Sequence, residues 1–303
     1  MTRTPPRHVT VHGAAKINVG WRVGARRSDG HHEVSGLLQT ISLTDRLAIS
    51  TDVGDPPGKG VGVAFDVGAP ISLRVDGPEK LEGELESTDN LVCRAAKLLA
   101  ERAEARPTAI ALDKKIPVAA GLGGGSADAA AALVGLNTVW AAGLSASRLV
   151  ELGAEIGSDV PAMLIGGLVH ASGRGSSVRR VGSYTEGWVV LGIGAEHVSA
   201  AESYEAFDGL EWGRDGSVFV HHNDLQRATI QLVPALRERL DAMQKAAGVA
   251  FMSGSGPTVV GVVETESQAH DVRAQVGSVF ERVLVAQPVD WGVHLFLGAE
   301  AGQ

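Results

Sequence analysis

The first quarter of the chain carries short apolar runs and alternating apolar and polar positions, a pattern typical of β-strands. It predicts two strands within residues 8–23, joined at a break over Gly13-Ala14-Ala15. Further strands are predicted over residues 37–43, 46–51, 61–65 and 71–75. Residues 52–60 hold three glycines and two prolines and predict a loop.

Farther along the chain, apolar residues recur at spacings of three and four, which indicates helices with one buried face. Helices are predicted after residue 89, after residue 126, over residues 146–156, from residue 234 and over residues 267–276. Strands are predicted between them over residues 109–112, 164–170, 189–193, 259–263 and 283–285. The pattern predicts an α+β protein with two lobes. We place a domain boundary at 172/173, where a Gly- and Ser-rich run begins, giving domains over residues 1–172 and 173–285, with the tail over 286–303 free to return to the first lobe.

Composition excludes several classes of partner and site. The chain has 303 residues, with 27 Lys and Arg against 35 Asp and Glu, a net charge of −8. This acidic balance, without a basic run, argues against a nucleic-acid partner. Cys93 is the single cysteine, so an intramolecular disulfide and a cysteine-based metal cluster are both excluded. No apolar run approaches the roughly 20 residues of a membrane span, and no apolar core follows residues 1–8. We expect a soluble cytoplasmic protein without a membrane partner.

Glycines cluster at one point of the chain, within Gly121-Leu122-Gly123-Gly124-Gly125-Ser126. A predicted strand precedes this run and an alanine-rich helix follows it. Backbone N–H groups in such a turn, together with the helix N-terminus, favour an anion such as phosphate. The alternative is a tight turn without a ligand. The run lacks the Gly-Lys-Ser/Thr of a Walker loop and the spacing of a dinucleotide fingerprint, and the chain lacks protein-kinase motifs.

With its flanks, from Pro117 to Ala127, the run resembles the second motif of the GHMP kinase superfamily, whose members phosphorylate small metabolites with ATP. Residues 14–19 (Ala-Ala-Lys-Ile-Asn-Val) resemble the first motif and residues 252–258 (Met-Ser-Gly-Ser-Gly-Pro-Thr) the third. The resemblance implies a two-lobed α+β fold. It also implies an N-terminal lobe that binds ATP, a C-terminal lobe that helps to hold the substrate, and an active site in the cleft between them.

Four shorter segments, residues 28–33, 88–92, 157–161 and 222–225, are similar to one branch of this superfamily. That branch phosphorylates the 2-hydroxyl of a cytidine diphosphate-linked methylerythritol in non-mevalonate isoprenoid biosynthesis. The alternatives are a sister kinase acting on homoserine, mevalonate or a sugar, and a non-catalytic ligand sensor. The segment from Asp29 to Glu33 favours the cytidine substrate, and the presence of Lys16, Asp159 and the glycine loop weighs against the sensor.

Two residues are candidates for the chemistry. Asp159 is the candidate base, since aspartate is ordinarily ionised at neutral pH and can accept a hydroxyl proton. We expect Pro161 to hold Val160 in extended geometry and so fix the position of Asp159; the alternative is an ordinary aspartate at a helix start. Lys16 lies among apolar residues and therefore needs an anionic partner. The resemblance places it beside Asp159, although a strand-edge lysine that reaches solvent is the simpler alternative.

The resemblance also implies ligand-binding residues. For ATP they are Asn90, Pro117, Val118, Ala119, Ala120, Gly121, Leu122, Gly123, Gly124, Gly125, Ser126 and Ala127. For the substrate they are Asn18, His31, His32 and Tyr204, and the third glycine motif contributes Ser253, Gly254, Ser255 and Gly256. His31 stands where the family often has a stacking tyrosine. Asn90 can equally cap a helix. The cofactors implied are ATP and Mg²⁺, with Ser126 as the candidate magnesium ligand.

Overall fold

The computed structural model describes residues 4–52, 63–77, 87–182, 186–210 and 220–297. Its strands are β1 (His8–Arg26), β2 (His32–Ser50), β3 (Val63–Asp66), β4 (Pro70–Asp76), β5 (Thr108–Asp113), β6 (Leu168–Gly173), β7 (Ser177–Gly182), β8 (Trp188–Ile193), β9 (His222–Asn223), β10 (Ala250–Met252), β11 (Val259–Val263), β12 (Arg282–Ala286) and β13 (Val293–Leu297). Its helices are α1 (Leu91–Ala100), α2 (Gly124–Val139), α3 (Ala146–Ile156), α4 (Val160–Ile165), α5 (Ala200–Asp208), α6 (Leu225–Leu232), α7 (Ala235–Ala247) and α8 (Glu266–Val276).

Within the described ranges the strands form two sheets. The first is nine-stranded and runs β13-β1-β2-β5-β4-β3, with β6 between β2 and β7, and with β9 beside β1. The second is four-stranded, in the order β10-β11-β8-β12. Helix α2 packs on β1 and β2 of the first sheet, and α7 and α8 pack on the second sheet. The predicted α+β class is confirmed.

The break predicted at Gly13-Ala14-Ala15 is wrong, because β1 is continuous there. One strand runs through this point, with only a shift in its pairing with β2 between Ala14 and Ala15. Gly13 is needed for close packing: a Cβ there would lie 2.5 Å from the carbonyl oxygen of Ala127 in α2. The small residues therefore bring the sheet against α2 instead of ending a strand. Likewise β2 is one strand where two were predicted, over residues 37–43 and 46–51.

The segment after Asp159 differs from prediction in two ways. Val160 is the first residue of α4, so Pro161 does not hold it in extended geometry. Proline is tolerated in the first turn of a helix because the N–H that it lacks would have no intrahelical acceptor there. The strand predicted over residues 164–170 is shorter and later, because α4 extends to Ile165 and β6 begins at Leu168.

The end of the described chain lies on the first sheet. Strand β13 pairs antiparallel with β1, and the Ala14 N–H donates to the Gly292 carbonyl at 2.8 Å. The domain boundary predicted at 172/173 stays a prediction, and the pairing of β7 with β6 favours a division after Gly182. Residues 53–60 of the loop predicted over 52–60 lie outside the described residues, as do residues 61–62 and 298–303. In the part of the chain that the structure describes, none of the helices has the length and apolar character needed to cross a membrane.

Candidate active site

The glycine loop lies between β5 and α2, with its backbone N–H groups at the start of the helix. Gly121 and Gly123 adopt φ of +73° and +70°, and Gly123 caps α2. Gly124, Gly125 and Ser126 form the first turn of α2, where helical N–H groups have no acceptor within the helix. Because these donors and the helix dipole point to the same place, the loop can bind a phosphate group.

The third glycine motif packs directly against this loop. A Cβ at Gly121 would lie only 2.4 Å from the Ser253 carbonyl oxygen, so only glycine allows the two backbones this close. The Ser253 hydroxyl donates to the Gly121 carbonyl at 3.0 Å and accepts from the Asn18 N–H at 3.1 Å. Ser253 thus joins residues of all three sequence motifs.

Two polar residues from the second half of the chain hold the third motif in place. Asn223 donates from Nδ2 to the carbonyls of Met252 at 2.8 Å and Gly254 at 2.7 Å. The Thr229 hydroxyl donates to the Ser255 carbonyl at 3.2 Å. Sequence reasoning assigned neither residue a role in the site, and the place of Thr229 in α6 carries no sequence signal for this contact.

Lys16 and Asp159 meet beside the loop. The Lys16 ammonium donates to Asn18 Oδ1 at 2.6 Å and to the Gly121 carbonyl at 3.0 Å. Asp159 Oδ2 lies 3.4 Å from Lys16 Nζ. The lysine side chain is only 6% exposed and that of Asp159 is 29% exposed. The ammonium is therefore held inside the protein, whereas the carboxylate is open to solvent and to a ligand.

A cleft of about 860 Å³ extends from the glycine loop past this pair. At one end lie Gly121, Gly123 and Ser126, with Gly254 and Ser255 of the third motif nearby. Further lining residues are His31, His32, Tyr204 and Asp208. The structure thus brings the predicted catalytic and substrate residues into one cavity. Their roles stay predictions.

His32 has fixed partners on both sides of its ring. Its Nδ1 lies 3.0 Å from the Gly24 carbonyl, and its Nε2 lies 3.0 Å from Asp208 Oδ1. Its ring also stacks on Tyr204, at 5.4 Å between centroids and 26° between planes. Sequence reasoning did not find Asp208, which lies at the end of α5 without a motif around it. These contacts hold His32 in one orientation in the cleft.

Tyr204 is packed against other side chains, whereas His31 is exposed. The Tyr204 hydroxyl accepts a hydrogen bond from Trp21 Nε1 at 3.1 Å, and burial raises the pKa of this tyrosine to about 12. It therefore stays a neutral phenol. His31 is exposed, and its N–H donates to Asp29 Oδ1 at 3.1 Å. Tyr204 stacks on His32 and not on His31. The substrate-binding roles of His31 and Tyr204 stay predictions.

A second cavity, of about 410 Å³, lies on the other side of the glycine loop. It is lined by Asn90 and by every residue from Pro117 to Ser126. Ala127 faces the sheet instead and is fully buried. Asn90 also caps α1, accepting from the Val92 N–H at 2.9 Å, so its two predicted roles are compatible. Ser126 lines both cavities, which places it where the two meet.

Beneath the second cavity lies a buried charge cluster that sequence reasoning missed. Lys114 Nζ donates to the carboxylates of Asp45 and Asp128, the latter at 2.7 Å. The second oxygen of Asp45 accepts the N–H groups of Lys115 and Ile116 at 2.6 and 2.8 Å, which fixes the chain entering the loop. Burial raises the pKa of Asp128 to about 8. Lys114 and Asp128 both line the cavity.

No group of three or more His, Cys, Asp or Glu side chains that could hold a metal ion occurs among the described residues. Ser126 and Asp159 are oxygen donors that line the same cleft. Mg²⁺ often binds through one or two protein oxygens together with substrate phosphates and water. The Ser126 hydroxyl therefore suits a magnesium ion that arrives with a nucleotide.

Comparison with known proteins agrees with this geometry. Residues 90–167 match the family model of the GHMP kinase N-terminal domain, and residues 206–282 match that of the C-terminal domain. A relative from Pelotomaculum thermopropionicum, named 4-diphosphocytidyl-2-C-methyl-D-erythritol kinase, is 38% identical over 297 residues. The match covers 92% of this chain and 97% of the relative.

Solved structures have the same fold. A crystal structure of 4-(cytidine 5'-diphospho)-2C-methyl-D-erythritol kinase matches with a TM-score of 0.72 and 28% identity, over 92% of this chain and 99% of that one. Homoserine kinase from Cytophaga hutchinsonii matches with a TM-score of 0.70 at 15% identity, over 98% and 99% of the two chains, which shows the fold alone. The chain belongs to the GHMP kinase superfamily and, within it, to the family of 4-diphosphocytidyl-2-C-methyl-D-erythritol kinases.

Proposed function

We propose that the protein transfers the γ-phosphoryl group of ATP to the 2-hydroxyl of 4-diphosphocytidyl-2-C-methyl-D-erythritol, giving the 2-phosphate and ADP. This reaction belongs to non-mevalonate isoprenoid precursor biosynthesis. One observation carries the proposal. The Lys16–Asp159 pair lies in a cleft that also holds both glycine loops and the His32–Asp208 contact. That cleft has room for a phosphate donor and a base-bearing acceptor together.

The reaction needs a base for the hydroxyl proton, and Asp159 is placed for it. Its carboxylate is partly exposed in the cleft. As the hydroxyl oxygen forms a bond to the γ-phosphorus, its proton passes to the Asp159 carboxylate. The bond between the γ-phosphorus and the β,γ-bridging oxygen breaks, and ADP leaves.

Lys16 assists without leaving its buried position. Its ammonium lies 3.4 Å from the Asp159 carboxylate and is oriented by Asn18 and the Gly121 carbonyl. A fixed positive charge at this point orients the carboxylate and stabilises the negative charge that develops on the attacking oxygen. Because the ammonium is already in place, little reorganisation is needed during transfer.

The phosphates of ATP would meet the backbone donors of the glycine loop. The first-turn N–H groups of α2 and the helix dipole favour negative charge there. A magnesium ion brought by ATP would neutralise further phosphate charge, with the Ser126 hydroxyl as an oxygen donor to hold it. The adenosine part would occupy the cavity lined by Asn90 and Pro117.

The far part of the cleft suits a cytosine ring. The partly exposed Asp208 carboxylate, which contacts His32 Nε2, is a hydrogen-bond acceptor there, and the exposed ring of His31 lies next to His32 in the chain. Cytosine carries both a hydrogen-bonding edge and a flat face, so it can use both kinds of contact. Homoserine, mevalonate and simple sugars have no such ring and would leave this part of the cleft unfilled.

The test is ADP release by the purified protein with ATP and Mg²⁺. The acceptors would be 4-diphosphocytidyl-2-C-methyl-D-erythritol, homoserine, mevalonate and galactose, with ³¹P NMR of the product to locate the new phosphate. We expect release only with the cytidine substrate and a phosphate on the 2-oxygen. Asp159→Asn should lower kcat by about 10²–10⁴-fold, the usual contribution of a positioned base.

Asp290→Asn is the matched control, because Asp290 is 61% exposed and lies outside the cleft. It should keep full activity. Release with another acceptor in place of the cytidine substrate would assign the chain to a sister kinase. Binding of ATP without release for any acceptor would show a ligand sensor, and the proposed reaction would be wrong.

A further inference from the structure

The turn between β6 and β7 places a cationic side chain in the cleft. Arg174 follows Gly173, the last residue of β6, and lines the cleft with an exposed side chain. Gly173 and Gly175 on either side of it have φ of +69° and +96°, and the Gly175 N–H donates to the Ser172 carbonyl at 3.0 Å. The backbone that carries Arg174 is therefore a tight, hydrogen-bonded turn.

This turn lies between the reacting groups and the His32 part of the cleft. A Cβ at Gly175 would lie 3.6 Å from Cβ of Ser158, the residue before Asp159. The same atom would lie 4.0 Å from the ring of Trp21, which donates to Tyr204. Tyr204 in turn stacks on His32. Arg174 thus starts from a point with the proposed base on one side and the proposed cytosine site on the other.

The charges of the cleft single out Arg174 among its lysines and arginines. Lys16 pairs with Asp159, and Arg26 pairs with Asp208 at 3.3 Å. Arg174, by contrast, has no ion pair or side-chain hydrogen bond with any residue in the described ranges. An arginine in a cleft without a protein counter-charge is suited to an anionic ligand.

We propose that Arg174 binds the diphosphate of the cytidine substrate. This inference rests on the proposed function, in which the substrate's diphosphate connects the cytosine to the alcohol that reacts. With cytosine at His32 and the hydroxyl at Asp159, the diphosphate must cross the stretch of cleft beside Arg174. The planar guanidinium can donate two parallel hydrogen bonds to phosphate oxygens, which a lysine cannot reproduce.

The experiment measures binding of cytidine, CMP and CDP to the wild type and to Arg174→Gln by calorimetry, with KM for the cytidine substrate and for ATP alongside. We expect Arg174→Gln to weaken CDP about tenfold to a hundredfold, the effect of losing charge-assisted hydrogen bonds. Cytidine should bind as it does to the wild type. KM for the cytidine substrate should rise by a similar factor as for CDP, while KM for ATP stays within about twofold. Arg174→Lys should lie between the two.

Arg179→Gln is the matched control, because Arg179 is an exposed arginine on the neighbouring strand β7 that does not line the cleft. It should bind all three ligands as the wild type does. Equal weakening of cytidine and CDP by Arg174→Gln, an unchanged CDP affinity, or the same loss in Arg179→Gln would overturn the inference while the kinase activity stood. A wild type that fails to phosphorylate the cytidine substrate would overturn the proposed function and this inference together.

Discussion

Replacing Lys16 with methionine would remove one buried charge while keeping a side chain of similar length. The ammonium has three oxygen partners: Asn18 Oδ1, the Gly121 carbonyl and Asp159 Oδ2. After substitution the Gly121 carbonyl still accepts from the Ser253 hydroxyl, and Asp159 can be hydrated because it is partly exposed. Asn18 Oδ1, in a side chain that is nearly fully buried, is the acceptor left without a hydrogen-bond partner.

Because only one buried acceptor loses its partner, the expected loss of stability is small compared with the expected loss of activity. One buried acceptor left without a partner costs about 1–3 kcal/mol of unfolding free energy, out of the roughly 5–15 kcal/mol typical of a folded protein. The variant should therefore remain folded. The loss in kcat should be larger, about 10²–10³-fold, as is typical when a fixed group that stabilises transition-state charge is removed. KM for ATP should change little, because backbone donors bind the phosphates.

The assay combines urea unfolding with steady-state kinetics for Lys16→Met, Asp159→Asn and the double variant. Because the lysine and the aspartate act together on the attacking oxygen, the double variant should lose less activity than the product of the two single losses. Lys115→Met is the control, since Lys115 is adjacent to the loop and 62% exposed. A kcat of Lys16→Met within about threefold of the wild type would refute this role of Lys16, as would two losses that simply multiply in the double variant.

Three further substitutions have expected outcomes. Gly121→Ala would place a Cβ 2.4 Å from the Ser253 carbonyl oxygen at a φ of +73°, so KM for ATP should rise at least about tenfold; an unchanged KM in the ADP-release assay would contradict this close packing. Asn90→Ala removes the acceptor of the Val92 N–H and should lower the free energy of urea unfolding by about 0.5–2 kcal/mol. An unchanged free energy of unfolding would contradict the capping role of Asn90. Asp128→Asn should flatten the dependence of stability on pH. Burial raises the pKa of Asp128 from its ordinary 3.8 to about 8, so the folded state keeps a proton that the unfolded state releases. The wild type therefore has this contribution in full below about pH 4 and loses it as the pH rises to about 8, and parallel wild-type and variant curves between pH 4 and 8 would contradict this.

The glycine loop and the helix after it were predictable because local sequence determines them. A run of glycines followed by an alanine-rich segment predicts a turn and then a helix. Helix α2 indeed begins within that run, at Gly124. Lys16 was predicted to need an anion because its neighbours Ala15 and Ile17 are apolar, and the structure places Asp159 3.4 Å away. Local chemistry was sufficient in both cases.

Other features depend on distant parts of the chain and had no local signal. Lys114 stands next to Lys115 in a polar connection, which gives no hint that it is buried between Asp45 and Asp128. Its burial follows from the packing of β2, the loop and α2 on one another. The break predicted over Gly13-Ala14-Ala15 was wrong for the same reason: small residues that suggest a turn in sequence serve here to bring α2 close to the sheet.

One backbone atom couples the three sequence motifs. The Gly121 carbonyl oxygen accepts from Lys16 of the first motif at 3.0 Å and from the Ser253 hydroxyl of the third at 3.0 Å. A shift of the phosphate loop therefore also moves the ammonium that orients Asp159. Since a displacement of about 1 Å can lower a rate by about a hundredfold, changes in ATP binding and in kcat should accompany each other for substitutions in this loop. The same coupling explains why residues about 240 positions apart in the sequence can act as one site.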